Sequence, residues 1–530
     1  MDDVSVRPRQ SAGFKLAINV CALQVAPINT TSFLLMTIKQ ILALSLAFGG
    51  VCAWAQTPDF LKAAAQKAIV SNPEVTARFN AFRAAGNEVD VARGAYYPRV
   101  DANADVGRTR ENVDGRNPDS RSVTKRGVGL AVTQLLWDGL ATRNEVERFD
   151  HLRTVRYFEF VDATEQTALE AARAYYDVLR YRRLVQLAED NYVQHKLSFD
   201  QITSRFKAGV GRGVDVEQAT ARLALAESNL LTDVANLHDV TARYQRVVGE
   251  APPAQALLGD GLREGVPAGA NEVLAQATQR NGSVSAAIEN LRAVRSQSEG
   301  QRGAFQPRVE ARARTSDGRN LSGIQDRRSD STVELLLTWN LFNGGSDQAR
   351  SRQLANLVTQ AGDLRDRSCR DVRQTAAIAY NDTGRLADQL RFLERNVVAI
   401  ERTRDAYRQQ FEIGQRSLLD LLNAENEVYT SRRSFANAEH ELRIAYARTH
   451  AAMNSLTAAL GLSRIDTGVP LEADWRAGDD AALRCPAMAD APTFTSTSEL
   501  DARARALAIA RPAVPAAPAS APAPQSPSLR

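Results

Sequence analysis

Two hydrophobic periods alternate along this chain, and the alternation occurs twice. Over residues 58–96 the apolar positions Leu61, Ala65, Ala68, Ile69, Val75, Phe79, Phe82, Val89 and Ala92 fall mostly three and four apart, which predicts a helix. Pro98, just after Tyr96-Tyr97, ends it, because proline lacks a backbone donor and disfavours helical geometry in the residue before it. The period then shortens to two. Val100, Ala102, Ala104 and Val106 share one face, and Asp101, Asn103, Asp105 and Gly107 share the other. A polar tip over 110–121 leads into a second strand, about Val123 to Trp137, in which Val128, Leu130 and Val132 alternate with Gly127, Gly129, Ala131 and Thr133. Asp138-Gly139 closes this hairpin. Helical periodicity then runs from about Ala141 to Phe206 and, past the turn Gly209-Val-Gly211-Arg-Gly213, on to about Val248. A proline-free helix of ~65 residues at ~1.5 Å per residue is on the order of 100 Å long.

The second half replays the first. A helix over 271–304 ends at Phe305-Gln306-Pro307, and Val309, Ala311, Ala313 and Thr315 form a strand. A polar tip over 317–330 follows, and Val333, Leu335, Leu337, Trp339 and Leu341 form the returning strand. Leu341-Phe342-Asn343-Gly344-Gly345 answers Leu136-Trp137-Asp138-Gly139-Leu140. Phe206 and Phe411, Gly209 and Gly414, and Asp215 and Asp420 are each 205 residues apart, whereas Pro98 and Pro307 are 209 apart, which places a length difference in the hairpins. The match is too long to be chance. The chain divides into a first repeat (56–253), a linker (254–270) rich in glycine, a second repeat (271–462), a mixed extension (463–510) and a Pro/Ala-rich end (511–530) whose composition cannot build a packed core.

Composition supports long helices and removes several functions. Ala, Arg, Glu, Gln and Leu dominate, and aromatic residues make up only 6%. The net charge of +4 is spread with both signs along helix faces, so no nucleic-acid partner is expected. Lys39, the apolar run Ile41 to Cys52 and Ala53-Trp54-Ala55 have the form of a secretory signal over 36–55, with Met36 as the expected start and 1–35 as an over-called extension. Val51 is too bulky for a lipidation site at Cys52. Beyond the signal only Cys369 and Cys485 remain, too few for a disulfide framework or a zinc cluster, and their role stays open. No later apolar run reaches ~18 residues, so an exported chain of this kind is periplasmic, secreted or a β-barrel. His151, His195, His238, His440 and His450 lack metal spacing, and neither a nucleophile elbow nor a phosphate loop occurs. No enzyme, cofactor or metal site is expected.

Two hairpins give four strands, and four strands cannot close a barrel, which takes roughly eight even when filled. Open edges are unsatisfied in lipid and adhesive in water. Oligomerisation removes them: a dimer closes eight strands and a trimer twelve, and the trimer has room for a water-filled lumen. Trp137 and Trp339 sit at equivalent strand ends, either in an aromatic girdle at a membrane interface or as core tryptophans at a strand–helix joint.

With the duplicated halves, Tyr96-Tyr97-Pro98 and Phe305-Gln306-Pro307, Leu136-Trp137-Asp138-Gly139 and Leu341-Phe342-Asn343-Gly344-Gly345, and the two glycine turns, residues 58–462 resemble the TolC family of trimeric outer-membrane channels. The resemblance implies a mostly α protein with membrane β structure. Its unit of helix, hairpin, long helix, turn and helix is duplicated, and the homotrimer forms a twelve-stranded β-barrel in outer-membrane lipid joined to a long periplasmic α-helical barrel. It further implies a passive exit duct recruited by a periplasmic adaptor (a membrane fusion protein) and an inner-membrane transporter. In that family the second turn closes the pore with the pattern Tyr-x-x-Gly-x-Arg-Thr-x-x-Asp-x-x-Asp. Here Arg416 and Asp420 match, while Phe411 replaces Tyr, Ser417 replaces Thr and Asn423 replaces the second acid. The gate is therefore expected at Phe411, Arg416, Asp420 and Asn423, with a single acidic ring of Asp420 copies that binds blocking cations more weakly than two rings. The alternative is that Asp420 and Asp215 simply suit a helix start, which is the favoured reading for Asp215. Gly209 and Gly414 need only a positive φ. Type I protein secretion leads as the function, with small-molecule efflux next and a poreless coiled-coil scaffold last; scaffold helices have no need of four amphipathic strands.

Overall fold

A computed structural model describes residues 60–510, apart from 113, 116–119, 256–257, 260–261, 321–325, 467–472 and 486–494. The expected extension, signal peptide and Pro/Ala-rich end lie outside the described residues. The first predicted helix is in fact two, α1 (Phe60–Ser71) and α2 (Pro73–Arg93). Asn72 stands between them in extended geometry, its side-chain oxygen accepting from the Glu74 amide at 2.9 Å. Pro73 fits the first helical turn, where its missing donor has no consequence. The second repeat breaks in the same place, 209 residues on, into α5 (Ala270–Arg280) and α6 (Gly282–Gly300). There Asn281 accepts from the Ser283 amide at 3.0 Å. Between α2 and α5 come strands β1 (Arg99–Asn112) and β2 (Ser120–Trp137) and helices α3 (Ala141–Lys207) and α4 (Gly213–Val248). After α6 come β3 (Arg308–Arg319), β4 (Arg327–Thr338), α7 (Ser346–Glu412) and α8 (Leu418–Ala452), followed by the short α9 (Leu456–Ala459) and by α10 (Thr497–Ala510).

The four strands form one antiparallel sheet in chain order, so the hairpins join each other through β2 and β3, leaving β1 and β4 as edges. β4 stops at Thr338. Trp339 and Leu341, expected inside the strand, lie beyond it, because the chain must turn through Gly344 and Gly345, both at positive φ, to enter α7. In the first repeat this joint is tighter. Asp138 accepts from the amide and hydroxyl of Thr142 at 2.9 and 2.6 Å, and Gly139 (φ +69°) lies so close to Gly303 that an added Cβ would stand 2.7 Å from its Cα.

α3 and α7 each run 67 residues, on the order of 100 Å. They differ in burial. Over its middle, from Val155 to Leu179, α3 is buried among α1, α2 and the end of α4, with Phe79 on Phe160 and Phe82 edge-on to Tyr157, both at 5.4 Å. Ala168, Ala171, Ala172 and Ala174 let the neighbouring helices approach closely. α8 packs on both α3 and α7, giving the side-by-side order α4–α3–α8–α7. The outer two leave large apolar side chains uncovered: Leu231 is 72% exposed on α4, and Phe392 is 58% exposed on α7.

Cys369 and Cys485 form a disulfide that joins α7 to the chain 116 residues later. Around it the 473–485 segment is tied down by charge. Asp480 accepts from Arg292 at 2.9 Å and Arg295 at 2.8 Å, Asp366 accepts from Arg484 at 2.8 Å, and Trp475 donates to Glu289 at 2.7 Å. Part of the C-terminal extension is thus a strap across α6 and α7.

Elsewhere Glu165, 2% exposed on α3, accepts from the Leu456 and Thr457 amides at 3.0 and 3.2 Å. Burial pushes its carboxyl up to about 7 although these donors pull the other way.

Two outcomes follow. Cys485→Ser, or reduction of the wild type, should lower stability by about 2–5 kcal/mol and speed proteolysis of 473–485, read by thermal melts and mass spectrometry; unchanged cleavage would rule out the clamp. The folded pKa of Glu165 lies above its ordinary 4.5, so its contribution is fully present below that value and is lost as pH rises through about 7. Melts of Glu165→Gln should therefore gain on wild type between about pH 5 and 8, by at most on the order of 3 kcal/mol. A pH-independent difference would contradict this.

Candidate gate and membrane sheet

Both long helices end in the same way. At the first tip the amide of Gly209 reaches the Phe206 carbonyl and that of Val210 reaches Arg205. At the second, Gly414 reaches Phe411 and Gln415 reaches Gln410. This pairing needs a left-handed residue, and Gly209 and Gly414 supply it at φ +79° and +78°. Ser417 then starts α8 as a cap. Its hydroxyl accepts from the Asp420 amide at 3.2 Å and donates to the Asp420 carboxylate at 2.9 Å. That explains Asp420 locally, since a carboxylate in the first turn faces the positive end of the helix.

The expected gate residues fall in two groups. Arg416 lies with Asp420 at 3.7 Å, donates to the Gln410 side chain at 2.9 Å and covers the Tyr407 ring at 4.3 Å. The Arg416 and Asp420 side chains are about two-fifths exposed. Phe411 and Asn423 instead face the first tip. Phe411 packs on the cluster of Ile202, Leu418 and Leu422, with the Arg205 guanidinium 5.2 Å from its ring, and Asn423 accepts from Arg222 at 2.8 Å. Asp215 occupies the first turn of α4, as its helix-start reading expected.

Sequence reading passed over the partners Arg205 and Arg222 and a deeper charge cluster. Glu425, 5% exposed, pairs with Arg404 at 3.1 Å and with Arg408, which also donates to Gln194 on α3 at 2.9 Å. Asp233 on α4, 1% exposed, pairs with Arg433. Arg404 and Arg408, one helical turn apart, are the only signal of the first of these, and nothing marks which acid meets them.

At the other end of the long helices, Pro98 and Pro307 each stand immediately before a strand. In the single subunit Trp137 is 42% exposed and Trp339 54% exposed; Trp339 also donates to the Phe305 carbonyl at 3.2 Å. One face of the sheet gathers Val100, Val128, Leu130, Val333, Leu335 and Leu337, all largely exposed. The opposite face is charged: Lys125 pairs with Asp105 at 3.5 Å, and Glu310 accepts from Arg308 and Arg312, both at 2.7 Å. A sheet with one bare apolar face and one polar face suits lipid on one side and water on the other.

The family described as "Outer membrane efflux protein" matches residues 64–250 and 273–455, one match per repeat. The chain belongs to this family. BepC, an outer membrane efflux protein of Brucella suis, is 24% identical over 429 residues, covering 80% of this chain and 92% of BepC. AprF, an alkaline protease secretion protein of Pseudomonas aeruginosa, is 25% identical over 352 residues, covering 64% and 72%. The crystal structure of the Campylobacter jejuni CmeC outer membrane channel superposes with a TM-score of 0.68 at 13% identity, covering 75% and 86%. The fold is that of the trimeric channels in this family: the four-stranded sheet is one third of a twelve-stranded barrel, and the long helices continue it as a helical barrel. The protein is a non-enzymatic channel of the outer membrane.

Removing Glu425 strands two arginines. Glu425→Ala should cost about 3 kcal/mol, with part of that recovered in Glu425→Ala/Arg404→Ala. A thermal-melt double-mutant cycle with no coupling would show that the cluster is solvated.

Proposed function

We propose that a homotrimer of this chain is a passive exit conduit, engaged at the helix tips by a periplasmic adaptor and fed by an inner-membrane transporter, with polypeptide as its first cargo by type I secretion. The single observation that carries the conduit is the two-faced sheet set on two ~100 Å helices, long enough at ~1.5 Å per residue to cross a periplasmic gap. Polypeptide cargo is supported by the long C-terminal extension and the likeness to a protease secretion protein. Small-molecule efflux is the second reading, favoured by the broader coverage of the likeness to BepC. Loss of the gene separates them: secretion predicts a protein missing from the medium, efflux a rise in susceptibility to toxic solutes.

We place the gate at the second tip, where Arg416 and Asp420 are the exposed charges and Phe411 and Asn423 tie that tip to the first. Three Asp420 carboxylates around the axis form one acidic ring, each with the Arg416 guanidinium 3.7 Å away as a counter-charge. Trp137 and Trp339 form the girdle at the periplasmic interface, about 25 Å from the far rim of the apolar band. Arg416→Ala and Asp420→Ala should each raise the open fraction of the closed channel in planar bilayers several-fold, and Asp420→Ala should also weaken block by divalent cations. Traces matching wild type would remove the gate from these residues.

A further inference from the structure

On β2 the apolar face of the sheet runs up to a row of arginines, and on β3 and β4 Thr315, Asp317, Ser329 and Ser331 stand between that row and the apolar residues. Val106 on β1, Arg126 on β2, Arg319 on β3 and Arg327 on β4 are successive cross-strand partners, so they share one face. It is the face that carries Val128, Leu130, Val333 and Leu335 two and more residues closer to the helices. Arg108 and Arg110 extend the same face beyond the row, donating to the Ser122 and Ser120 hydroxyls at 2.9 and 3.0 Å. Asp317 is the one acid on this end of the face among the described residues, and Arg327 pairs with it at 3.2 Å. Arg126 and Arg319 stand opposite each other and exposed; the neighbouring acid on this face, Asp317, is engaged by Arg327.

Like charges directly opposite across a strand pair repel, so a row of this kind is costly unless an anion sits on it. Its depth identifies the anion. Arg126 lies eleven residues along β2 from Trp137. At about 3.3 Å per residue and a tilt near 45°, that separates the two by about 25 Å, the height of a barrel's apolar band. On the placement of the tryptophans proposed above, at the periplasmic interface, the arginines meet the polar boundary of the outer leaflet.

We propose that Arg126, Arg319 and Arg327 form a binding site for phosphorylated lipid headgroups of the outer leaflet, repeated three times around the closed barrel. Guanidinium forks bind phosphate oxygens in pairs, and the acyl chains of the same lipid lie on the exposed Val128 and Leu130 directly below Arg126 and reach Val333 and Leu335 deeper in the band. A free anion gains nothing from those residues, which is why the site is assigned to a lipid.

The full-length trimer in neutral detergent can be exposed to phosphatidic acid or phosphatidylcholine and the retained lipid counted by native mass spectrometry. Wild type should retain phosphatidic acid preferentially. Arg126→Gln/Arg319→Gln should reduce that retention roughly fivefold or more without changing phosphatidylcholine, while Arg126→Lys/Arg319→Lys should keep most of it. Arg312→Gln/Arg314→Gln, on the opposite face, should leave it unchanged. Equal retention of the two lipids by wild type, undiminished retention by Arg126→Gln/Arg319→Gln, or displacement of the lipid by inorganic phosphate at equal concentration would each overturn the proposal.

Discussion

An antiparallel sheet in hydrocarbon must pair every backbone donor and acceptor, and this subunit cannot do so alone. β1 and β4 present open edges, and among the described residues no further strand covers either of them. The remedy is another copy, and the same need recurs along the helices, where α4 and α7 display Leu231 and Phe392 with no covering helix among the described residues. β4 leads straight into α7, so on that flank the sheet edge and the helix edge belong to one continuous stretch of chain. Backbone satisfaction in lipid and apolar burial in water therefore demand the same neighbour, and the threefold channel answers both.

Periodicity made most of this architecture legible. Alternation in Val100 to Val106 and Val309 to Thr315 marks strands because one face meets lipid and the other water. The repeat offset located both tips, since a helix that ends in a Schellman turn needs glycine at one position. Local capping was less visible. The apolar stripe runs straight through Asn72 and Asn281, and Pro73 is harmless at a first turn, so neither break disturbs the pattern that predicted one helix. Trp339 and Leu341 keep strand alternation after the strand has ended, because alternation reports which way side chains point and not whether the backbone is paired.

Long-range pairing was the least legible. Nothing near Cys369 or Cys485 indicates that they meet, since the strap between them depends on where α6 and α7 place Arg292, Arg295 and Asp366. The tip shows a related limit. Ser417 accounts for Asp420 within one helix turn, so its identity alone cannot reveal what its exposed carboxylate meets in a neighbouring subunit. Asn423 and Phe411, by contrast, are engaged by the first tip, which links the two turns into one body.

The duplicated helices have come to answer to different judges. Damage to the aromatic middle of α3 is felt by a lone subunit as it folds, because Tyr157 and Phe160 are already enclosed by its own chain. Damage to the outer flank of α7 passes unnoticed until three copies meet. One half of the ancient repeat thus governs whether a subunit matures, and the other governs whether matured subunits recognise one another.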